Sequence, residues 1–116
     1  MDTLSIKEKN VLMNEVTNDG KTAYLYYSTK YKMFVAYGIS AYLVIRTVHS
    51  VKAGYDGDLQ MPMVKVDDQQ MTMLKEGLEE IVVIEGEFMQ LEAAHNYDEL
   101  DYDEWAGFLR NHYLGE

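Results

Sequence analysis

Carboxylate is the most concentrated chemistry in this chain. Between Glu76 and Glu104 there are eleven Asp and Glu and no Lys or Arg. The densest part is Tyr97-Asp98-Glu99-Leu100-Asp101-Tyr102-Asp103-Glu104-Trp105, with five carboxylates in the seven residues 98–104. Written as a helix, those seven residues span about 10 Å. A DNA duplex shows one charge per about 1.7 Å of axis, or about six in that length. The densities are comparable, so such a surface could occupy the phosphate-binding groove of a nucleic-acid protein. About two of the five have an ordinary explanation, because acids stabilise the first turn of a helix. Glu76, Glu79 and Glu80 extend the charge. Tyr97, Tyr102 and Trp105 are candidate anchors, since aromatic side chains offer a large amphipathic contact area. The candidate partner-binding residues are therefore Glu76, Glu79, Glu80, Tyr97, Asp98, Glu99, Asp101, Tyr102, Asp103, Glu104 and Trp105.

Other reactive groupings fail on spacing. Gly38-Ile39-Ser40-Ala41-Tyr42 begins like a nucleophile elbow but lacks the final Gly, and reads as a turn between strands. Neither glycine-rich phosphate pattern occurs. Asp56, Asp58, Gln60 and Asp67 echo a calcium loop, yet Met61 stands where the sharp turn needs Gly. His49, His95 and His112 are too far apart for a metal spacing. His95 beside Asp98 and Glu99 is the one pairing that could serve as an acid/base or zinc site; a loop histidine among acids is the simpler reading. Paired carboxylates for glycoside hydrolysis are always to hand in an acidic chain, so their presence says little. The chain contains no Cys, which excludes disulfides, thiolate metal sites and a Cys nucleophile. We assign no catalytic residue, metal or cofactor.

Tyrosine is the second unusual feature. Seven of the ten fall in residues 24–55. On a strand, Tyr24 and Tyr26 share one face while Leu25 and Tyr27 share the other. The aromatics could pair across strands and hold a sheet, or present a binding face.

These groups need elements to position them. At 116 residues the chain fits one domain, 1–116, and its 47% hydrophobic content is ample for a core. Ser5 followed by Glu8 matches a capping box for a helix to about Val16. Residues 22–27 and 33–37 read as a β-hairpin. Residues 41–49 carry both helical spacing and β-branched residues; we read a third strand. Residues 54–58 read as a loop, and Met61–Val66 as a strand whose Pro62 marks an edge or a strand start. Asp67 or Asp68 caps a helix to about Glu76, with Met71 and Leu74 inside. Ile81–Ile84, the most apolar run, reads as a buried strand, turned by Glu85-Gly86 into 87–91. Asp101 or Asp103 caps a last helix with Trp105, Phe108, Leu109 and His112 on one face, ended by Gly115. The fold class is α+β: an antiparallel sheet of about 4–5 strands, with the N-terminal and C-terminal helices packed on it.

Charge divides the chain. Residues 1–66 carry eight Lys/Arg and six Asp/Glu, and residues 67–116 carry two and fourteen, for a total of −10. That balance argues against direct nucleic-acid binding. No apolar run approaches a membrane span and the N-terminus is too polar for a signal peptide, so a cytoplasmic location is expected. In composition alone the chain resembles small virus-encoded inhibitors of host nucleic-acid enzymes, the acidic anti-restriction and anti-CRISPR proteins. The resemblance covers no aligned motif. It implies a phage-type, non-enzymatic inhibitor that presents a DNA-like carboxylate surface to a protein partner with a basic surface. The alternative is a structural or assembly module that forms a homodimer through its Tyr/Met-rich sheet, with the acidity serving only solubility.

Overall fold

The computed structural model describes residues 6–84, 87–92 and 97–114, with side chains from residue 8 onward. In chain order the elements are α1 (Ile6–Val16), β1 (Thr22–Ser28), β2 (Met33–Tyr37), α2 (Gly38–Thr47), β3 (Lys52–Asp56), β4 (Met61–Val66), α3 (Asp68–Gly77), β5 (Glu79–Ile84), β6 (Phe88–Glu92) and α4 (Glu99–Leu114). The strands form one sheet in the order β3-β4-β2-β1-β6-β5, with every neighbouring pair antiparallel. The class is the expected α+β, with six strands rather than 4–5.

Strand alternation sends consecutive side chains to opposite faces, and away from β5 both faces of this sheet carry packed side chains. Ala23, Leu25, Ala36, Val64, Val66, Met89 and Leu91 form the main core with α2, α3 and the aromatic residues of α4. Tyr26 points the other way and forms a second cluster with Val11 of α1 and with Leu59. Asn14 of α1 donates to the Tyr26 hydroxyl at 2.7 Å. The N-terminal and C-terminal helices thus lie on opposite faces.

Three expectations need correction. Residues 41–49 are not a strand: most of them belong to α2, which lies across β1, β2 and β4. Its β-branched residues are outweighed by position. Six of its ten residues are buried, from Gly38 through Val44, so the helix is apolar nearly all round. The loop expected at 54–58 is half strand, because β3 runs through Asp56 and pairs Tyr55 with Pro62. That pairing makes β4 an interior strand, although Pro62 does stand near its start. β2 ends at Tyr37 opposite Met63, so Pro62 has a strand on one side only. The missing N–H therefore costs no rung of the ladder on the β2 side.

Ile81–Ile84 is a strand as expected, but not a buried one. β5 closes the sheet at one edge, and all six of its residues are exposed. Burial follows place in the sheet order, not apolarity of the run. The helix at residue 68 begins as expected. Asp67 accepts from the Gln70 N–H at 2.8 Å, and the Gln70 side chain accepts from the Asp67 N–H at 3.1 Å. The Ser5 cap, the Glu85-Gly86 turn, His95 and the Gly115 stop lie outside the described residues.

Candidate partner-binding surface

The acidic run is built on α4, and its members do different work. Asp98 caps the helix: its Oδ1 accepts from the Asp101 N–H at 3.0 Å, and its carbonyl accepts from the Tyr102 N–H at 2.8 Å. The cap is thus Asp98, not Asp101 or Asp103. Asp101 turns toward α2. It accepts from the Tyr42 hydroxyl at 2.8 Å and stands 3.7 Å from the Arg46 guanidinium. Glu99, Asp103 and Glu104 are exposed and make no salt bridge among the described residues. So two of the five carboxylates serve the fold and three face outward.

The aromatic candidates turn inward. Tyr97, Tyr102 and Trp105 surround Tyr42 edge-on, with ring centres at 5.9, 5.8 and 5.9 Å. Burial pushes the Tyr102 phenol up to about 12 and also raises the Tyr42 and Tyr97 phenols. These rings fasten α4 to α2. The inward stripe of α4 is Tyr102, Trp105, Ala106 and Leu109, all half-buried. Phe108 and His112, expected on that stripe, sit on the exposed side with stacked rings 6.3 Å apart. The outward face of α4 is consequently mixed, with Leu100 at 78% and Phe108 at 69% exposure beside Asp103 and Glu104. Sequence reading missed these exposed apolar residues. The 102/105/106/109 spacing was the available signal, because it fixes the opposite face.

Glu76, Glu79 and Glu80 lie elsewhere. Glu76 is at the end of α3, and Glu79 and Glu80 begin β5; all three are exposed. Glu79 stands opposite Glu92 on β6, a like-charge pair that weakens the ladder locally. β5 is the sheet edge opposite β3, whereas α4 packs on β3 and β4. The structure therefore divides the candidate acids into two groups, on α4 and on the α3–β5 side.

Two cations meet at the opposite edge of the sheet. Lys52 and Lys65 are directly opposed on β3 and β4. They line an open groove of about 510 Å³ with Tyr31, and Lys65 Nζ stands 4.0 Å from the Tyr31 ring centre. Other cations are dispersed, with Arg46 on α2, Lys75 on α3 and Arg110 on α4.

The other reactive groupings resolve into structure. Gly38-Ile39-Ser40 joins a strand to a helix, not a strand to a strand, and Ser40 is fully buried. Its hydroxyl donates to Glu15 Oε2 at 2.5 Å and accepts from the Tyr24 N–H at 2.9 Å. Glu15 Oε1 accepts from the Ser40 N–H at 3.1 Å, so a buried carboxylate occupies the N-terminus of α2. Tyr37, the residue before α2, makes no side-chain cap, and Glu15 takes that place from another helix. Burial pushes the Glu15 carboxyl up to about 7, against the lowering pull of its bonds to Ser40 and Asn18. Asp56 Oδ1 accepts from the Asp58 and Leu59 N–H groups, both at 2.9 Å, which closes a turn. Among the described residues no three His, Cys, Asp or Glu side chains gather as metal ligands. No described helix is long and apolar enough to cross a membrane. Comparison with known protein families, with characterised proteins and with solved structures finds no match for this chain.

Proposed function

We propose that this chain is a non-enzymatic acidic binding protein that engages a basic surface on a protein partner. The observation that carries the proposal is the set of exposed carboxylates Glu76, Glu79, Glu80, Glu99, Asp103 and Glu104, none in a salt bridge among the described residues. Like charges held together cost folding stability, and a basic partner would relieve that cost. Electrostatic attraction would steer encounter and set register, while Leu100 and Phe108 would supply apolar contact on the α4 side. The narrower form of the proposal is an inhibitor of the phage type, in which the outward α4 acids occupy a phosphate-binding groove.

Competition tests that form. A DNA duplex and this chain should displace each other from a DNA-binding target, and the Glu99→Gln/Asp103→Asn/Glu104→Gln variant should displace the duplex more weakly. Simultaneous binding of chain and duplex would contradict it. The assembly reading is favoured by one observation, the exposed apolar edge of β5. It is not favoured by the tyrosines of β1, because Tyr26 is buried under α1.

A further inference from the structure

The edge strand β5 exposes four consecutive large apolar side chains, Ile81, Val82, Val83 and Ile84, each between 39% and 50% accessible. Its outer row of amides and carbonyls has no neighbouring strand among the described residues. Proteins blunt such edges with charge, proline or a bulge. Here a bulge between Glu80 and Val82 irregularises only the start, and Val82–Ile84 keeps a regular register with Gln90, Met89 and Phe88. Beside this run, between α3 and β5, lies a groove of about 340 Å³, lined by the apolar Phe34, Met71 and Met89 and by the polar Asp68, Thr72 and Lys75. An unpaired ladder is what strand addition requires, with backbone bonds for affinity and a neighbouring groove for alternate side chains.

Charge identifies the occupant. Glu76, Glu79, Glu80, Glu87 and Glu92 are all exposed around this edge, and Lys75 stands on the groove rim. A second copy would bring the same acids against themselves, with a net charge of −10 on each chain. We infer that β5 receives an extended segment of the partner as a seventh, antiparallel strand, apolar where it faces Ile81–Ile84 and basic where it reaches Glu80 and Glu79. This inference rests on the reading that the partner is basic, and it names the way that partner is held.

The probe is a synthetic acetylated peptide, Thr-Val-Ile-Val-Lys-Lys, titrated into the full chain, with amide hydrogen exchange followed residue by residue. Binding should slow exchange at the β5 amides. N-methylation of the peptide on the side facing β5 should weaken it at least tenfold, as should Glu-Glu in place of Lys-Lys. Val82→Lys, at an already exposed position, should weaken it comparably. The triple variant Glu99→Gln/Asp103→Asn/Glu104→Gln should bind the peptide within twofold of the parent. Absence of binding, or equal binding of the N-methylated peptide, overturns strand addition and leaves the acidic-surface reading standing. Equal binding of the Glu-Glu peptide overturns the basic partner, here and in the reading beneath it. A dimer with its β5 amides protected before any peptide is added overturns the proposal in favour of a second copy.

Discussion

Glu15 carries the clearest pH-dependent chemistry in the molecule. Its carboxyl is held at about 7 by burial, against an ordinary value of 4.5. Between those values the folded chain keeps a proton that the unfolded chain has released. Stability contributed by this group is therefore complete below about pH 4.5 and is lost as the pH rises to 7, by on the order of 3 kcal/mol. Glu15→Gln removes that dependence while keeping an acceptor for the Ser40 N–H. Urea unfolding of both proteins at pH 5 and pH 8 checks it: the parent should lose more stability over the interval than the variant, and parallel losses would contradict the assignment. Gly20 gives a second residue-scale prediction. Its φ is +87°, and a methyl there would fall 2.3 Å from Tyr97 Cδ2. Gly20→Ala should cost about 2 kcal/mol in a denaturant titration. A neutral result would mean that Tyr97 does not pack against this turn.

At the scale of elements, α4 separates acids that fold the protein from acids left for a partner. Asp98→Ala should cost about 1 kcal/mol through loss of the cap. Glu99→Gln, Asp103→Asn and Glu104→Gln should each change stability by less than about 0.5 kcal/mol. Thermal melts of the four variants test the division, and a large loss from any of the last three would return that residue to the fold. The same helix shows how much the sequence discloses. Its existence and its acids were legible, because Asp and Glu at a helix start follow a local rule. The spacing of Tyr102 and Trp105 was legible too, but their meeting with Tyr97 around Tyr42 was not, because Tyr42 lies about sixty residues away on an element read as a strand. α2 itself was misread for a related reason. Val44 and Ile45 favour strands locally, yet Glu15 fixes the start of the helix from another element. β5 reversed the expectation of burial because a sequence shows apolarity but not edge position. α3 was read correctly, since Asp67 and Gln70 satisfy each other within four residues.

Over the whole molecule, the net charge of −10 sets the energetics. Self-repulsion among the acids on α3, β5, β6 and α4 is screened by salt, so the chain should become more stable between low and moderate salt. The α+β class was visible in the order of elements, while the strand order, and with it the division of the acids between α4 and the α3–β5 side, arises from long-range pairing that no local pattern encodes. If the exposed carboxylates bind a basic partner, removing them should weaken its retention. Capture from a cell lysate on the immobilised chain tests this, with the Glu99→Gln/Asp103→Asn/Glu104→Gln variant alongside and elution by a salt gradient. A basic protein should be held by the parent and released at moderate salt, and should be released at lower salt or not retained by the variant. Elution of the same protein from both at the same salt, or retention of the chain's own copies alone through high salt, would contradict it.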